Sequence, residues 1–420
     1  MKNPFSRRTD SPQVYYTVND RFDLVMFLSV LILLAMGFLA IYSSTQNTVI
    51  EKGNFLKQTI AVVLSLSVFA VIYNLPTQII SKASLPLYIF SLVLLVAVLL
   101  FGRKVGGAKA WLYFGTFSFQ PAEFAKMATV IFLARYLSRN QTQIDSLKDI
   151  IITLSIGGVP VLLILMEPDL GSSLVFAGMM ITMVFWKGIS LFGLFLVLSP
   201  VLVMGAALFG GFYFFLALLV VIAGLIYFKR DLFFSGSIFA VNIAVGFFVD
   251  IVYEFLSPHQ QKRIASFLDP ASDPLGSGYN SIQAKIAIGS GGLFGKGFLS
   301  GNQTQLQFIP EQWTDFIFCV IGEEFGFAGS LAILILYMIL FTRILRIANM
   351  SKYQFHSLIA VGVLSIFFTH FVINVGMAIG IIPVIGIPLP FISYGGSSLL
   401  INMTMLGIIF NIYRTRKNYS

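Results

Sequence analysis

Apolar runs of about 18 or more residues recur along this chain and constrain its fold more than any other feature. Hydrophobic residues make up 57% of the 420 residues, charged residues make up 11%, and the mean hydropathy is +0.88. Such a chain is too apolar for a soluble protein of this length. Because each run matches the thickness of a bilayer, the sequence predicts an all-α polytopic integral membrane protein.

The apolar runs predict twelve transmembrane segments. They lie near residues 22–44, 56–75, 84–102, 121–138, 149–166, 170–187, 191–209, 212–228, 232–256, 315–342, 354–382 and 388–413. The count depends on Gly210-Gly211 dividing residues 191–228 into two helices, since one merged span would move the next loop across the membrane. Lys229-Arg230 favours the division, because it anchors that end on the cytoplasmic side.

An even number of spans places both termini on one side of the membrane. Most of the 27 Lys and Arg residues face the cytoplasm if the N-terminus does, as the positive-inside rule requires. The first apolar run is too long for a signal peptide and follows a polar tail, residues 1–21. We therefore expect an uncleaved first helix, a cytoplasmic tail and a large extracytoplasmic loop, residues 258–313. The net charge of +9 is explained by these anchors, so we expect no nucleic-acid partner.

The loop of residues 258–313 carries much of the polar chemistry of the chain. Asp269 and Asp273 each precede a proline, which is typical of turns. Such a turn could also hold a functional carboxylate in position. The glycine-rich stretch Gly289–Gly297 fits neither common nucleotide-binding signature, although its backbone N–H groups could form a nest for phosphate. Cys319 is the only cysteine, which excludes internal disulfides and thiolate metal clusters.

Charged residues within or beside the apolar segments are candidate functional residues, because they are costly in a membrane. Glu123 and Lys126 are three residues apart on one helix face and can pair, either as a structural ion pair or as the lining of an outward cavity. Glu167 and Asp169 flank a proline in an outward turn. They could bind a cation or orient a base, and Asp169 could cap the next helix.

A run of prolines, glycines and hydroxyl residues, 386–398, lies at membrane depth. Non-helical backbone is tolerated there only when it is buried in protein or lines a cavity, and close packing through small residues is the alternative. His370 and Asn374, four residues apart on the preceding segment, are consistent with a polar contact between helices. The sequence contains no evident Ser–His–Asp set, histidine-rich metal site or nucleotide loop.

These motifs resemble the SEDS family, the shape, elongation, division and sporulation proteins. The matching positions are Asp269-Pro270 through Gly278-Tyr279, Gln283, Gly289 through Gly292, Gly295 through Gly297, Gln305, Pro310-Glu311, Thr314 through Phe316, Gly322 through Glu324, and the segments 120–126, 167–171 and 388–398. They follow the family order and cover most of the chain. Residues 167–170 and 282–289 are more similar to the elongation members than to the division members.

The resemblance implies a peptidoglycan glycosyltransferase that polymerises lipid II into glycan strands during cell-wall elongation and releases undecaprenyl pyrophosphate. It implies a multi-pass protein of the bacterial cytoplasmic membrane with an outward-facing active site. Its expected partners are lipid II and the nascent glycan strand, a class B penicillin-binding protein that crosslinks the product, and other membrane proteins of the elongation complex. The family core has ten helices, so residues 191–228 are predicted to be a helix pair inserted into one membrane domain, residues 1–420.

The resemblance also assigns roles to individual residues. Asp273 matches the essential aspartate of the family and is the predicted general base. Glu123, Lys126 and Asp169 match its other charged cavity residues. Where the family usually has an arginine before a tryptophan, this chain has Ala110, so a substrate role of that arginine falls to Lys109 or is absent.

The chemistry of sugar transfer fits this assignment. A sugar hydroxyl attacks an anomeric carbon while a lipid-linked pyrophosphate leaves, so the hydroxyl needs a base and the leaving group needs positive charge. Lys126, Arg263 or a divalent cation such as Mg²⁺ or Mn²⁺ would supply that charge, and no other cofactor is expected.

A lipid II flippase or other transporter is the alternative, because broken helices and intramembrane charges also mark transport pathways. A third hypothesis is a scaffold that only positions the penicillin-binding protein. Because the charged residues cluster toward the outward side, the enzyme is favoured.

Overall fold

The structure is a helical bundle with one small sheet. It is a computed structural model that describes residues 21–46, 52–105, 107–115, 117–139, 147–229, 231–256, 258–269 and 278–416. The elements in chain order are α1 (Leu24–Thr45), α2 (Lys52–Asn74), α3 (Thr77–Phe101), β1 (Arg103–Val105), β2 (Ala108–Phe114), β3 (Phe117–Phe119), α4 (Pro121–Leu137), α5 (Leu147–Met166), α6 (Leu170–Lys187), α7 (Leu191–Leu208), α8 (Gly211–Phe228), α9 (Leu232–Phe247), α10 (Val249–Phe255), α11 (Pro258–Leu268), α12 (Tyr279–Ser290), α13 (Asn302–Gln305), α14 (Ile317–Glu324), α15 (Gly326–Met350), α16 (Gln354–Ala378) and α17 (Gly396–Thr415).

The predicted fold class is confirmed, whereas the count of twelve spans is not. Helices occupy all twelve predicted positions, and ten of them, namely α1–α3, α5–α8 and α15–α17, are long and apolar enough to cross a membrane. The other two positions hold α4, with 17 residues, and α9, with 16. By length and composition, the described chain therefore has ten candidate spans.

Two predicted helix starts, at residues 315 and 388, are wrong. The helices there begin at Gly326 and Gly396. The first is preceded by the separate short helix α14, because Gly326 has a φ of +67° and lies so close to Gly295 that a Cβ atom would be 2.2 Å from the Gly295 nitrogen. The second is preceded by a non-helical stretch, residues 379–395, which we call the broken segment.

The described parts of the polar stretch, residues 258–269 and 278–316, pack at one end of the bundle, which we call the loop end. At the last turn of α1, the side chain of Gln305 donates to the hydroxyl of Ser43 at 2.8 Å, and Gln312 donates to the carbonyl of Ser44 at 3.0 Å. Since α1 begins at Leu24 and ends beside these loop residues, the first residues of α1 mark the opposite end of the bundle.

A three-stranded antiparallel sheet connects α3 to α4, in the order β1-β2-β3. Leu112 pairs with Phe119 and Phe114 with Phe117, so β2 and β3 form a tight hairpin that leads directly into Pro121, the first residue of α4. The apolar periodicity of the sequence did not predict this sheet. It fixes the entry of α4, which carries Glu123 and Lys126.

The helices α7, α8 and α9 form a unit with its own apolar cluster. Val203 of α7, Val221 and Leu225 of α8 and Ile238 of α9 are buried together, separately from the main core. A turn with Gly210 at φ +112° separates α7 from α8, as the Gly210-Gly211 motif predicts. That this pair is an insertion into a ten-helix core stays a prediction.

The main core surrounds α4, α16 and α17, which are buried along most of their length. Gly37 of α1 packs directly on the broken segment, where an added Cβ would lie 2.5 Å from the carbonyl oxygen of Ile392 and 2.7 Å from its Cα. A side chain at residue 37 would therefore displace the backbone that closes this side of the core.

We expect Gly37→Ala to lower the thermal unfolding temperature of the purified protein, because overpacking against fixed backbone costs about 1–3 kcal/mol. Gly205→Ala in α7 is the matched control, since no atom lies within 4 Å of its Cβ position and alanine is the better helix former. Unfolding followed by tryptophan fluorescence measures both. Equal unfolding temperatures for the two variants would contradict the close contact.

Candidate active site

The predicted general base, Asp273, lies in residues 270–277, outside the described residues. The chain is described on both sides, up to Asp269 after α11 and again from Gly278 before α12.

Arg263 of α11 provides a positioned cation at the loop end. Its Nη1 donates to the carbonyl oxygen of Ile385 in the broken segment at 2.6 Å. Burial lowers the pKa of the guanidinium, while the carboxylates of Asp315 and Asp169 raise it, and a guanidinium stays charged throughout. Among the described residues, no carboxylate oxygen lies within 4.0 Å of Arg263. The charge is thus held in place without a direct ion pair.

Asp315 is the acidic counterpart of Arg263. Both side chains face the Cα of Gly386, where a Cβ would lie 3.1 Å from Oδ2 of Asp315 and 3.7 Å from Nη1 of Arg263. The pKa of Asp315 is raised to about 6, because the effects of burial and of Glu311 outweigh those of Arg263 and a hydrogen bond from Thr314, which lower it. Asp315 is not among the site residues predicted from the sequence, although Thr314-Asp315-Phe316 is one of the motifs that resemble the family.

The broken segment is held by side chains from three surrounding helices. Backbone carbonyls outside a helix need partners at membrane depth, and here side chains supply them. The pairs are Arg263 with Ile385 at 2.6 Å, Asn374 with Ile387 at 2.8 Å, His370 with Pro388 at 3.0 Å, and Tyr337 with Pro390. His370 and Asn374, expected to make a contact between helices, are therefore supports for this segment.

Asp169 caps α6, as one of the two predicted roles requires. Its carboxylate accepts from the backbone N–H of Ser172 at 2.9 Å and from the hydroxyl of Ser172 at 2.8 Å. The side-chain amide of Gln120 also donates to it at 3.3 Å. These bonds fix the carboxylate near Arg263, whose pKa it raises. Asp169 thus belongs to the same cluster as Arg263 and Asp315.

Glu167 is fully buried in the turn before α6, and neither of its carboxylate oxygens has a hydrogen-bond partner among the described residues. Its backbone carbonyl accepts from the N–H of Lys109 in β2 at 3.1 Å, which ties the sheet to this turn. Burial raises the pKa of the carboxyl to about 8, and the neighbouring Asp169 contributes. At neutral pH the Glu167 side chain is therefore mostly protonated.

Glu123, Lys126 and His370 form a buried polar chain between α4 and α16. Nζ of Lys126 lies 2.7 Å from Oε1 of Glu123 and 2.8 Å from Nε2 of His370, so the predicted ion pair is confirmed. Because Nδ1 of His370 faces the Pro388 carbonyl, that nitrogen carries the proton and Nε2 accepts from Lys126. The ammonium is only 1% exposed. In this conformation Glu123 and His370 occupy its hydrogen-bonding positions.

The side chain of Lys109, in β2, reaches the last turn of α3. Its Nζ donates to the carbonyls of Leu99 at 2.7 Å and Leu100 at 3.1 Å, where a cation also interacts favourably with the helix dipole. This contact accounts for the lysine structurally. A substrate role for Lys109 stays a prediction.

The glycine-rich stretch 289–297 packs against α14, and two of its backbone amides are already paired there. The N–H groups of Lys296 and Gly297 donate to the carbonyls of Glu323 and Glu324 at 3.0 and 3.1 Å. Nζ of Lys296 also lies 2.9 Å from Oε1 of Glu323. The burial of Glu323 would raise its pKa, but the hydrogen bonds from Lys296, Gln303 and Thr304 lower it overall. The phosphate-nest interpretation is therefore wrong for these two amides, which fasten the loop.

We expect Lys126→Met to destabilise the protein by about 3–5 kcal/mol, because it leaves the buried carboxylate of Glu123 without its cation. Adding Glu123→Gln removes the stranded charge and should restore part of the lost stability. Thermal unfolding of both variants in one detergent measures this. A double variant no more stable than Lys126→Met would show that the ion pair is not what the single substitution breaks.

The raised pKa of Glu167 predicts a pH dependence of stability. The folded state keeps the proton up to about pH 8, whereas the ordinary value is 4.5, so stability falls as the pH rises between these values. Glu167→Gln has no carboxyl group to titrate, so its stability should not fall in this way. Its unfolding temperature minus that of the wild type should therefore increase from pH 5 to pH 8 in the absence of divalent cations. Glu254→Gln, at an exposed carboxylate of α10, is the control and should show no such trend. A constant difference across this range would contradict the buried proton.

Comparison with known proteins places this chain in a family. The family profile described as "Cell cycle protein", which covers FtsW, RodA and SpoVE, matches residues 23–217 and 211–418. The peptidoglycan glycosyltransferase MrdB of Escherichia coli K12 is 36% identical over 403 residues, which are 95% of this chain and 95% of MrdB. The peptidoglycan glycosyltransferase RodA of Treponema pallidum is 37% identical over 93% of this chain and 97% of its own length.

Solved structures show the same architecture. A chain from a peptidoglycan synthase complex, described as coordinating polymerization and crosslinking, is 28% identical with a TM-score of 0.71 and covers 94% of this chain and 98% of its own. The rod shape determining protein RodA of Thermus thermophilus is 26% identical with a TM-score of 0.63 over the same shares. This chain therefore belongs to the FtsW/RodA/SpoVE family of shape, elongation, division and sporulation proteins.

Proposed function

We propose that this protein is a peptidoglycan glycosyltransferase that polymerises lipid II into glycan strands during cell-wall elongation and releases undecaprenyl pyrophosphate. The observation that carries the proposal is the match to peptidoglycan glycosyltransferases at 36–37% identity over more than nine-tenths of the chain. The cluster of Arg263, Asp315 and Asp169 at the loop end supports it, because it offers the charges that sugar transfer from a pyrophosphate requires.

Arg263 is the proposed clamp on the leaving pyrophosphate. A guanidinium is a bidentate donor suited to phosphate oxygens, and this one is fixed at Ile385 with no direct ion pair to a described carboxylate. The negative charge that develops as the bond from the anomeric carbon breaks would be stabilised by such a preorganised cation. The charges of Asp315 and Asp169 favour the charged form of the guanidinium, while the Ile385 carbonyl fixes its position.

Asp273 is the proposed general base toward the acceptor hydroxyl. The hydroxyl proton passes to the carboxylate while the hydroxyl oxygen bonds to the anomeric carbon and the pyrophosphate leaves with the electrons of the broken bond. A direct displacement of this kind inverts the anomeric centre. Because Asp273 follows α11 by only five residues, the chain allows it to approach the cluster that Arg263 forms from the same helix.

Lys126 is proposed to support the site indirectly, through the broken segment. Its bonds to Glu123 and His370 occupy the ammonium, and His370 in turn holds Pro388. Contact with a lipid-linked phosphate would require one of these bonds to open. Measuring lipid II affinity alongside the stability of Lys126→Met separates a substrate role from a purely structural one.

A resident metal is not needed for the steps above. The described residues hold no group of three or more His, Cys, Asp or Glu side chains that would bind a metal ion. Mg²⁺ commonly binds through one or two carboxylates together with substrate phosphates, and Asp315 and Asp169 are the carboxylates whose charges act on Arg263. We assign no catalytic step to a cation.

The alternative function, a lipid II flippase, is not favoured. Two curated relatives that cover more than nine-tenths of this chain, MrdB of Escherichia coli and RodA of Treponema pallidum, are named as peptidoglycan glycosyltransferases. A transporter also needs access from both faces, whereas Arg263, Asp315 and Asp169 gather at the loop end. A purely scaffolding role would leave this charged cluster without a function.

We further propose that the protein works in the bacterial cytoplasmic membrane beside a class B penicillin-binding protein, with the loop end facing outward. The likeness to a chain from a complex that coordinates polymerization and crosslinking supports such a partner. We also propose that residues 191–228 are an inserted helix pair, because α7 and α8 pack with α9 around an apolar cluster that is separate from the main core.

We expect Asp273→Asn to abolish glycan polymerisation, because asparagine keeps the size and turn-forming ability of aspartate but cannot accept the proton. Loss of a general base typically lowers the rate about 10²–10⁴-fold. The measurement is polymerisation of lipid II by the purified protein, with and without its penicillin-binding partner.

Asp269→Asn is the matched control for this substitution, since it alters a second Asp-Pro pair four residues earlier and should retain substantial activity. Thermal unfolding of both variants checks that they fold. A folded Asp273→Asn protein that polymerises lipid II at a near wild-type rate would remove the base assignment.

The orientation predicts opposite accessibility for Ser300, at the loop end, and Lys352, after α15. A membrane-impermeant thiol reagent should label Ser300→Cys in intact cells and Lys352→Cys only after permeabilisation. The native Cys319 is buried, so the unsubstituted protein serves as the background control. The reverse pattern would invert the proposed topology.

A further inference from the structure

A cavity of about 80 Å³ lies at the end of the bundle opposite the loop end. It is enclosed by the start of α1 and the last turns of α15 and α17. Its polar lining comes from Asp23, Arg343, Arg346, Tyr413 and Arg416. We call it the arginine cavity. It is remote from the proposed active site, because the far end of α1 contacts the loop residues around Gln305.

The charges around the arginine cavity are unbalanced. Asp23 caps α1 through the N–H of Met26 at 3.0 Å, and its other oxygen lies 3.7 Å from Nη1 of Arg343. Arg346 and Arg416 have no carboxylate oxygen within 4.0 Å in the part of the chain that the structure describes. Three guanidinium groups therefore face one carboxylate.

Arg416 is fixed in position but not fully satisfied. Its Nη1 donates to the carbonyl of Tyr413 at 2.8 Å, and its guanidinium lies over the Tyr413 ring, 3.4 Å from the ring centroid. Its Nε is buried and has no hydrogen-bond partner among the described residues. A buried donor without a partner is costly, so this nitrogen indicates that an acceptor belongs in the cavity.

The size of the cavity limits what it can hold. A volume of about 80 Å³ exceeds the share of a single water molecule, which is roughly 30 Å³, but is well below the 300 Å³ or more of sites for whole small molecules. A phosphate group fits this space, with the rest of its molecule outside. A second cavity on the other side of Arg416, lined by Lys352 and His356, adds a further basic residue to this end.

We propose that the arginine cavity binds a phosphate group, supplied by the head group of an anionic phospholipid in the leaflet at this end of the bundle. Arginine donates bidentately to phosphate oxygens, and basic pockets between transmembrane helices are suited to lipid head groups. The exposed Arg346 meets the phosphate from the lipid side, and Arg416 donates from within. Met350 on the cavity rim offers apolar contact to the start of the acyl chains.

The test is lipid binding to the purified full-length protein in neutral detergent, followed by thermal unfolding and native mass spectrometry. Phosphatidylglycerol should bind more tightly and raise the unfolding temperature more than phosphatidylcholine with the same acyl chains. The double variant Arg346→Gln/Arg416→Gln should lose roughly tenfold in phosphatidylglycerol affinity for each arginine removed. Lys82→Gln, the same charge change near the same end in α3, is the control and should bind as the wild type does.

Two further variants keep the test decisive. Asp23→Asn preserves the helix cap but removes the competing carboxylate, so it should bind phosphatidylglycerol several-fold more tightly than the wild type. Arg346→Gln alone changes an exposed side chain and should still fold if the double variant does not. Equal affinity of the wild type and the arginine variants for phosphatidylglycerol would overturn the proposal.

Inorganic phosphate distinguishes the two sources of the ligand. If phosphate alone stabilises the wild type as much as phosphatidylglycerol does, and the arginine variants lose this effect, the site takes free phosphate and the lipid assignment is overturned. If neither probe is preferred over phosphatidylcholine, the cavity is not a phosphate site. None of these measurements uses lipid II, so their outcome is independent of the proposed polymerase activity.

Discussion

The need to satisfy every backbone carbonyl of the broken segment organises the centre of this protein. Residues 379–395 leave the helical pattern within a bundle of membrane helices, where no bulk water can bond their carbonyls. Arg263, Asn374, His370 and Tyr337 donate to four of these carbonyls instead. Each of these bonds also places a polar side chain. The broken segment and the side chains that bond to it thereby form the framework of the candidate site.

The charged side chains around the broken segment are held by different contacts, and these contacts affect which of them can bind a substrate. Lys126 is enclosed by Glu123 and His370, which stabilises its charge but leaves it little freedom to bind anything else. Arg263 is held by a carbonyl, with Asp169 and Asp315 near but not in direct contact, so its charge remains directed at the space around Gly386. Of the two cations, Arg263 is therefore the better placed to meet a pyrophosphate.

Two buried carboxyl groups illustrate how local surroundings decide protonation. Glu167 lacks any described partner, so burial keeps it protonated near neutral pH. Glu323 is equally buried, but Lys296 and the amides of Gln303 and Thr304 bond its oxygens and keep it ionised. The first therefore contributes no charge beside Asp169, whereas the second fastens the glycine-rich loop onto α14.

The sequence by itself determined the class of fold, the approximate position of the helices and the contacts that local spacing sets. Glu123 and Lys126 pair because residues three apart share a helix face, and Asp169 caps α6 because an acidic side chain before a helix can accept its first amides. Only the tertiary structure decided that His370 captures Lys126, that Asp315 and Arg263 meet at Gly386, and that three guanidinium groups share one cavity. These contacts join residues far apart in the chain, so they depend on how whole helices and the broken segment pack. No periodicity or local spacing encodes that packing.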